Sequence, residues 1–270
     1  MKYDPVKKLI GSIAGKSVFR RRVLYRLLGL MFLREWYVKR ELRRILGAEK
    51  HPIRVFDAGS GFGQYTYYCA RRFPQAAIYA ADVKSEQIED CRQFFASAQI
   101  HNVQFAVEDL TTITHQDAFD VALSVDVMEH IPDDVLVFRN LWRSLKPGGI
   151  LLINTPSDTG GSDAHGPDEH GFIEEHARTG YGVQEIRTKL ESVGFTVQRI
   201  KFTYGPWGSL GWRLGIKYPM MMLNSSKLFF GLLPFYYFLT LPFTLLLMYL
   251  DYMITNKTGS GLLIIARKST

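Results

Sequence analysis

The chain has 270 residues, of which 47% are hydrophobic, so it can bury a sizeable core and is not an intrinsically disordered protein. Its formal net charge of +7 is concentrated near the N-terminus, where residues 1–44 hold thirteen Lys and Arg against three acids. The rest of the chain is therefore acidic. Two cysteines, Cys69 and Cys91, fall in predicted helices and are expected to be reduced thiols of a cytosolic protein.

Residues 1–47 are predicted to form a basic amphipathic arm. Apolar residues between Val18 and Phe32 alternate with its cations, and Gly47 is expected to close the helix. A long apolar face beside many cations is typical of helices that lie on an anionic lipid surface. Nucleic acid could also attract this charge, and a solvated helix packed on its own domain is the plainer alternative.

From Ile53 onward, short apolar runs alternate with longer amphipathic stretches, which is typical of a parallel sheet covered by helices. Strands are expected at residues 53–57, 77–81, 103–107, 119–125 and 149–154. Helices are expected at residues 64–73, 85–98, 133–145 and 182–193, and two further strand-like runs follow at 195–203 and 261–267. The pattern predicts an α/β fold with a doubly wound, mostly parallel sheet.

A glycine-rich turn follows the first predicted strand. The stretch Val55–Gly63 reads V-F-D-A-G-S-G-F-G, and its glycines let the backbone turn tightly and let a ligand lie against main-chain N–H groups. It is not the dinucleotide fingerprint, because Gln64 stands where the third glycine of G-x-G-x-x-G belongs. It is not a P-loop either, since no G-K-[ST] follows.

Acidic residues stand at the ends of the first four strands, where ligands bind in open α/β sheets. Asp57 ends the first strand, Asp82 follows the second, Asp109 the third and Asp126 the fourth. An acid about 20 residues after the glycines is well placed to accept hydrogen bonds from ribose hydroxyls. The acid after the third strand can accept a hydrogen bond from an adenine amine.

These features together resemble the class I S-adenosylmethionine-dependent methyltransferases, whose first motif is (V/I)-L-D-x-G-x-G-x-G. Three later segments, Val127–Asp133, Leu145–Ile153 and Gly180–Phe195, resemble further motifs of that superfamily. The resemblance, to the small-molecule and quinone branch, implies a seven-stranded Rossmann-like sheet with an antiparallel last strand. It also implies S-adenosyl-L-methionine as cofactor. The cofactor-binding residues that it implies are Asp57, Gly59, Ser60, Gly61, Gly63, Asp82, Val83, Asp109, Leu110 and Asp126.

Methyl transfer from this cofactor requires an aligned nucleophile, and an oxygen nucleophile also requires a base or a metal. His130 is the candidate base. The connection 157–176 is long and rich in His, Asp and Gly, so His170 and the nearby Tyr181 are further catalytic candidates. A polar loop without a catalytic role is the favoured alternative for that connection.

A divalent metal is a further possibility at the turn after the fourth strand. Some quinone O-methyltransferases of this superfamily bind one through E-x-x-E-H, which the string Asp126, Glu129 and His130 resembles. Because the E-H-I-P-D turn is common in relatives that use no metal, a purely structural turn is the favoured interpretation.

The chain carries 56 residues, Tyr204–Gly259, where such enzymes have a short connection between their last two strands. Within them, Leu228–Leu250 holds 23 positions without a charge. A single membrane crossing would separate the last strand from its sheet, so the run is expected to dip in and return, to lie in the interface or to cover the core. Pro234 and Pro242 are expected to break it into the short pieces of a monotopic hairpin. An apolar lid or dimer surface is the soluble alternative.

The sequence thus predicts an arm (1–47), a cofactor-binding core (48–204), an apolar membrane-associating insertion (205–259) and the final strand of the core (260–270). The predicted function is S-adenosylmethionine-dependent methylation of a lipophilic, membrane-resident small molecule such as an isoprenoid quinone, a phenol, an acid or a lipid. O-methylation is preferred. N- or C-methylation of a lipid headgroup or soluble small molecule, and a non-catalytic membrane adaptor, are the alternatives.

The expected partners are the lipophilic substrate and an anionic membrane surface, at the cytoplasmic face of a membrane in a peripheral or monotopic arrangement. Nucleic acid is not expected as a substrate, because Ser124-Val-Asp-Val is neither an N-P-P-Y-type motif nor a catalytic-cysteine motif.

Overall fold

The computed structural model describes residues 17–48, 51–160, 177–226 and 229–269. Seven strands form one sheet: β1 (Arg54–Ala58), β2 (Ala77–Asp82), β3 (Val103–Val107), β4 (Phe119–Val125), β5 (Leu145–Pro156), β6 (Phe195–Thr203) and β7 (Gly261–Lys268). The strand order is β3-β2-β1-β4-β5-β7-β6. Strands β1 to β5 pair in parallel, whereas β7 lies antiparallel between β5 and β6. The predicted sheet with an antiparallel last strand is confirmed.

Helices cover both faces of this sheet. They are α1 (Val18–Met31), α2 (Leu33–Gly47), α3 (Gln64–Arg72), α4 (Ser85–Ser97), α5 (Asp134–Ser144) and α6 (Val183–Ser192). One buried core lies between the sheet and α2, α3 and α4, and a second lies between the sheet and α5 and α6. Cys69 and Cys91 are buried free thiols in the first core.

The described part of the N-terminal arm, residues 17–47, consists of two helices. Phe32 is extended and separates α1 from α2, and Gly47 is the last residue of α2. Helix α2 buries one face in the first core and therefore packs as part of the main body of the fold. Helix α1 differs, because its apolar residues at positions 19, 23, 27 and 30 remain exposed. These four positions recur at helical spacing and form one stripe.

The segment after β6 folds as a helical hairpin. Helix α7 (Pro206–Trp212), a π-helical turn (Arg213–Lys217) and α8 (Tyr218–Ser225) form its first leg, and α9 (Phe229–Met253) is its second. The legs run antiparallel, since Gly208 packs against Asp251 near the base while Gly215 packs against Thr244 further up. We call residues 206–253 the apolar hairpin. Helix α9 is the one helix among the described residues whose length and composition would suffice to cross a membrane.

The prediction that two prolines break the apolar run is wrong. Pro234 and Pro242 both lie inside the continuous helix α9 of 25 residues. Each proline removes one backbone hydrogen bond, but the remaining bonds and the packing against the first leg hold the helix together. Tyr236 and Tyr237 add cross-links, because their hydroxyls donate to the carbonyls of Leu214 and Gly215 at 2.7 and 2.9 Å.

The base of the apolar hairpin is fastened to α2 by a buried carboxylate. Asp251 Oδ1 accepts hydrogen bonds from the Tyr37 hydroxyl at 2.8 Å and from Asn256 Nδ2 at 3.1 Å. Its Oδ2 accepts a bond from the Gly208 backbone N–H at 2.9 Å. Asp251 is fully buried, so these bonds replace its hydration. The hairpin therefore leaves the body of the protein from a fixed root.

Candidate active site

The glycine turn between β1 and α3 adopts backbone conformations that favour glycine. The φ angles of Gly59, Gly61 and Gly63 are +87°, +51° and +72°. The N–H groups of Gly59 and Ser60 both donate to the Ala81 carbonyl at 2.9 Å, which ties the turn to β2. The turn is thus rigidly placed at the carboxyl edge of the sheet.

This turn leaves room for a ligand. A Cβ atom built on Gly61 would meet nothing closer than Gln87 Oε1 at 3.9 Å. The Ser60 hydroxyl is buried and has no hydrogen-bond partner among the residues described. An open cradle beside an unsatisfied polar atom is what a ligand held against the main chain requires.

Asp57 lies under the turn at the end of β1. It is 3% exposed, and one of its carboxylate oxygens accepts a hydrogen bond from the Thr66 hydroxyl at 2.5 Å. Burial raises the pKa of Asp57 to about 6, although the Thr66 hydrogen bond opposes the shift. A cation bound nearby would favour the ionised form.

The other predicted cofactor residues border the same edge. Asp82 accepts hydrogen bonds from the N–H groups of Gly61 at 2.9 Å and Lys84 at 3.0 Å, and each carboxylate oxygen can accept a second bond. Val83 is exposed beside it, where an apolar ring could rest. Asp109 caps its own turn by accepting from Thr111, and Leu110 is buried behind it. These residues fit the ribose and adenine of an adenosyl group.

An ion pair closes the middle of this edge. Asp126 follows β4 with a φ of +53°, and its carboxylate pairs with the guanidinium of Arg34 from α2. The Arg34 backbone N–H donates to the Tyr204 hydroxyl at 3.2 Å, just beyond β6. Helix α2, the end of β4 and the end of β6 therefore meet at one point. Burial raises the pKa of Tyr204 to about 12, so its hydroxyl keeps its proton.

A family model described as a methyltransferase domain matches residues 49–193, which is more than half of the chain. The chain belongs to the S-adenosylmethionine-dependent methyltransferases. We propose that the glycine turn Gly59–Gly63, which we call the cofactor turn, and the strand-end acids form the cofactor site at the carboxyl edge of the sheet. The residues present fit that cofactor, because the cradle at Gly61 is open and the acids Asp82 and Asp109 are in place.

Two curated relatives match over part of their length. The trans-aconitate 2-methyltransferase of Deinococcus radiodurans is 28% identical over 119 residues, which is 44% of this chain and 43% of that protein. The phosphoethanolamine N-methyltransferase 1 of Triticum aestivum is 30% identical over 146 residues, which is 53% of this chain and 28% of that protein. This methyltransferase therefore spans less than half the length of the relatives that it matches.

A solved structure shares the fold. Phosphoethanolamine N-methyltransferase 2 of Haemonchus contortus, in complex with S-adenosyl-L-methionine, superposes with a TM-score of 0.60 at 19% identity. The match covers 85% of this chain and 51% of that one.

The predicted metal ligands of the methyltransferase do not form a metal site. The Asp126 carboxylate pairs with Arg34, and Glu129 Oε2 accepts a hydrogen bond from the Thr155 hydroxyl at 3.1 Å. No group of three or more His, Cys, Asp or Glu side chains is arranged to hold a metal within the described ranges. Burial raises the pKa of Glu129 well above its usual range, and the neighbouring Asp126 adds to the shift. The turn Asp126–His130 is organised by hydrogen bonds and an ion pair.

The predicted catalytic role of Tyr181 needs correction. Its side chain is fully buried in the second core, and its hydroxyl donates to Asp134 Oδ2 at 2.7 Å and accepts from Arg178 at 2.9 Å. A buried and fully bonded hydroxyl cannot touch a substrate, so Tyr181 positions the turn after β4. His130 remains a half-buried candidate at the end of the 3₁₀ turn Met128–His130. His170 lies outside the residues that the structure describes.

The sequence reasoning missed three residues at the site. Arg34 pairs with Asp126, and Tyr204 accepts a hydrogen bond from the Arg34 backbone N–H. Tyr65 is buried at the start of α3, and its hydroxyl makes no hydrogen bond of normal geometry within the described part of the chain. Burial also raises the pKa of Tyr65, with Glu35 the next cause. Its place two residues after Gly63 was the one signal that could have identified it.

Proposed function

We propose that the protein transfers the methyl group of S-adenosylmethionine to an oxygen atom of a lipophilic small molecule at the cytoplasmic face of a membrane. One observation carries the proposal: the apolar hairpin is rooted at the same edge of the sheet as the cofactor turn. Anchoring there would bring the reaction site close to molecules dissolved in the bilayer.

The root and the cofactor turn share an edge because of the sheet topology. Strands β5 and β6 both run antiparallel to β7, so β6 runs parallel to β5 and to β1. Its last residue, Thr203, therefore ends at the same edge as Asp57. Tyr204 contacts Arg34 there, and the hairpin begins only two residues later at Pro206.

The surface of the hairpin supports a lipid environment. Phe238, Phe235 and Phe243 are 78%, 65% and 66% exposed. Only 6% of the most apolar stretch of α9 is buried inside the protein. A contiguous apolar surface of this kind is rare on monomeric soluble proteins. Legs of 20 and 25 residues correspond to about 30 and 38 Å at 1.5 Å per residue, enough to enter a bilayer and return.

The residues around Asp126 suit an oxygen acceptor. The bound cofactor would supply a methyl group made electrophilic by its sulfonium. Tyr65 and Tyr204 keep their hydroxyl protons, so either can donate a hydrogen bond to the acceptor oxygen and orient it. Arg34 favours an acidic acceptor by charge. His130 is the proposed base that removes the acceptor's proton.

The names of the matched relatives support a small-molecule acceptor. They do not identify one atom that receives the methyl group, so the choice of oxygen belongs to the proposal. One is named for trans-aconitate, an organic acid, and the other for phosphoethanolamine, whose amine is methylated. Neither name describes a lipophilic compound, so the membrane-resident acceptor rests on the hairpin.

The test uses membranes from cells that express the full chain, supplied with S-adenosylmethionine labelled in its methyl group. A Gly61→Arg variant, whose side chain would fill the cradle, is the control. We expect label in the solvent-extractable lipid fraction with the wild type and none with the variant. Label that appears only in the aqueous fraction would overturn the lipophilic acceptor, and label on amine nitrogen in the product would overturn O-methylation.

A further inference from the structure

A cluster of cations lies at the base of the apolar hairpin, away from the cofactor turn. Arg40 and Arg44 belong to α2, while Arg199 and Lys201 belong to the edge strand β6. All four lie within 4.0 Å of one buried carboxylate, that of Glu41. We call these four residues the basic cluster.

The cluster carries more positive charge than its surroundings neutralise. Glu41 is the one acid that its members pair with among the ion pairs of the described residues. Asp251, the next acid at the hairpin base, does not pair with the cluster, because its carboxylate accepts hydrogen bonds from Tyr37, Gly208 and Asn256. Burial lowers the pKa of Lys201, and the neighbouring Arg40 and Arg199 lower it further. Cations crowded in this way favour a bound anion.

A small pocket opens beside the cluster. Arg40 and Lys201 line it together with Tyr37, Tyr252 and Asn256, and Met253 and Ile254 form an apolar rim. The Arg40 guanidinium is held over the Tyr252 ring at 4.2 Å and donates to the Tyr252 carbonyl at 3.0 Å. Its Nε lies 3.8 Å from Glu41 Oε1, too far for a hydrogen bond.

We infer that this pocket binds the phosphate of an anionic phospholipid headgroup. The position supports lipid rather than a soluble anion, because the exposed Met253 and Ile254 at the end of α9 continue the apolar surface of the hairpin directly to the cations. A bound lipid would contact both the apolar surface and the cations. Its acyl chains would lie along α9, and its phosphate would lie between Arg40 and Lys201. The site would fix how deeply the hairpin enters the bilayer. It would thereby set the distance between the bilayer and the carboxyl edge of the sheet, where the proposed cofactor site lies. This inference rests on the membrane association in the proposed function.

The test measures binding of the purified full chain to vesicles by flotation. One set of vesicles is phosphatidylcholine alone, and the other contains phosphatidylglycerol as well. The double variant Arg199→Gln/Lys201→Gln removes two cations and leaves Arg40 and Arg44 to pair with Glu41. The matched control is Arg139→Gln/Arg143→Gln, which removes two exposed cations from α5 on the opposite face of the sheet.

We expect the wild type to prefer the anionic vesicles. The basic-cluster variant should lose about thirtyfold in affinity for them, since two cations near an anionic surface are removed. Its affinity for neutral vesicles and its thermal unfolding midpoint should stay unchanged. The control variant should change by less than about twofold.

Three outcomes would overturn the inference. Equal losses in the two variants would mean that only net charge matters. Release of the protein by inorganic phosphate, but not by chloride at the same ionic strength, would show a site for soluble phosphate. Equal affinity of the wild type for both kinds of vesicle would show that the pocket binds no anionic headgroup, although the hairpin would still bind the membrane. Failure to bind any vesicle would instead overturn the membrane association itself.

Discussion

Two glycines of the cofactor turn serve different purposes, and alanine substitutions should separate them. A Cβ on Gly59 would overlap the Val127 side chain, whereas a Cβ on Gly61 would point into the open cradle. Gly59→Ala should therefore lower the free energy of unfolding by about 3 kcal/mol through strain and steric overlap. Gly61→Ala should lower it by only about 1 kcal/mol but weaken S-adenosylmethionine binding at least about tenfold.

Thermal unfolding and calorimetric titration with the cofactor measure the two effects. If Gly61→Ala bound S-adenosylmethionine as tightly as the wild type, the assignment of the cradle would be wrong.

The buried Asp57 predicts a dependence of stability on pH. Because burial raises its pKa to about 6 in the folded state, the folded protein binds this proton more tightly than the unfolded chain. The stabilisation from that proton is complete below the unfolded-state pKa of 3.8 and is lost as pH rises through about 6. Asp57→Asn should therefore gain stability relative to the wild type as pH rises from about 4 to about 6, by up to about 3 kcal/mol, and keep that gain at higher pH.

Denaturant unfolding at a series of pH values checks this expectation. Glu86→Gln, which removes a carboxylate at an exposed position of α4, is the control. A constant difference between Asp57→Asn and the wild type would contradict the raised pKa.

Residue by residue, sequence patterns predicted the cofactor side of the site better than the acceptor side. Asp57, Asp82 and Asp109 could be placed at the carboxyl edge of the sheet because a strand end and a glycine turn fix their position locally. Arg34 could not, since it pairs with Asp126 across 92 positions of sequence and no local pattern encodes that contact. Tyr181 was misjudged because a tyrosine near a polar loop gives no indication that its hydroxyl is buried.

At the level of elements, the root of the apolar hairpin depends on Asp251. Asp251→Ala would leave the Gly208 N–H and Asn256 Nδ2 without their buried carboxylate acceptor, whereas the Tyr37 hydroxyl would keep the backbone carbonyl of residue 251, 2.7 Å away, as its acceptor. We expect a loss of about 3 kcal/mol in the free energy of unfolding and faster proteolysis near residue 205. Tyr37→Phe removes the hydroxyl that donates to Asp251 but keeps the carboxylate as acceptor for Gly208 and Asn256, so it should cost about 1 kcal/mol.

Limited proteolysis and thermal unfolding of the two variants provide the measurement. Equal stability of Asp251→Ala and the wild type would show that packing alone holds the root.

The strands and helices of the core could be predicted because their buried apolar residues recur at a regular spacing along the sequence. The predicted strands at 103–107, 119–125 and 195–203 coincide with β3, β4 and β6. The apolar hairpin was less predictable. The rule that proline breaks a helix is derived from isolated helices in water. Helix α9 is not isolated, because it packs against glycines of the first leg and is linked to that leg by two tyrosine hydroxyls. The first leg lies inside the predicted insertion 205–259, but its helices were not predicted.

At the scale of the whole molecule, the exposed aromatic residues of α9 should determine where the protein resides. The triple variant Phe235→Ser/Phe238→Ser/Phe243→Ser removes three of the most exposed apolar side chains from the apolar hairpin. Each buried phenylalanine contributes about 2 kcal/mol to transfer into an apolar phase. We therefore expect the variant to move from the membrane pellet to the supernatant while binding S-adenosylmethionine as before.

Fractionation at low salt without detergent measures this distribution. The control Phe95→Leu changes a phenylalanine of the first core and should leave the distribution unaltered. A wild-type protein that stays in the supernatant would contradict the membrane assignment and favour an apolar lid or a dimer surface.

The position of β7 has a consequence for how the protein is made. This strand lies inside the sheet, between β5 and β6, yet it follows the apolar hairpin in the chain. A ribosome therefore releases the hairpin while β6 still has no neighbour to pair with. The sheet can close only after some 50 largely apolar residues have emerged and found a place to settle. Completion of the cofactor-binding sheet therefore requires that the apolar hairpin be synthesised first.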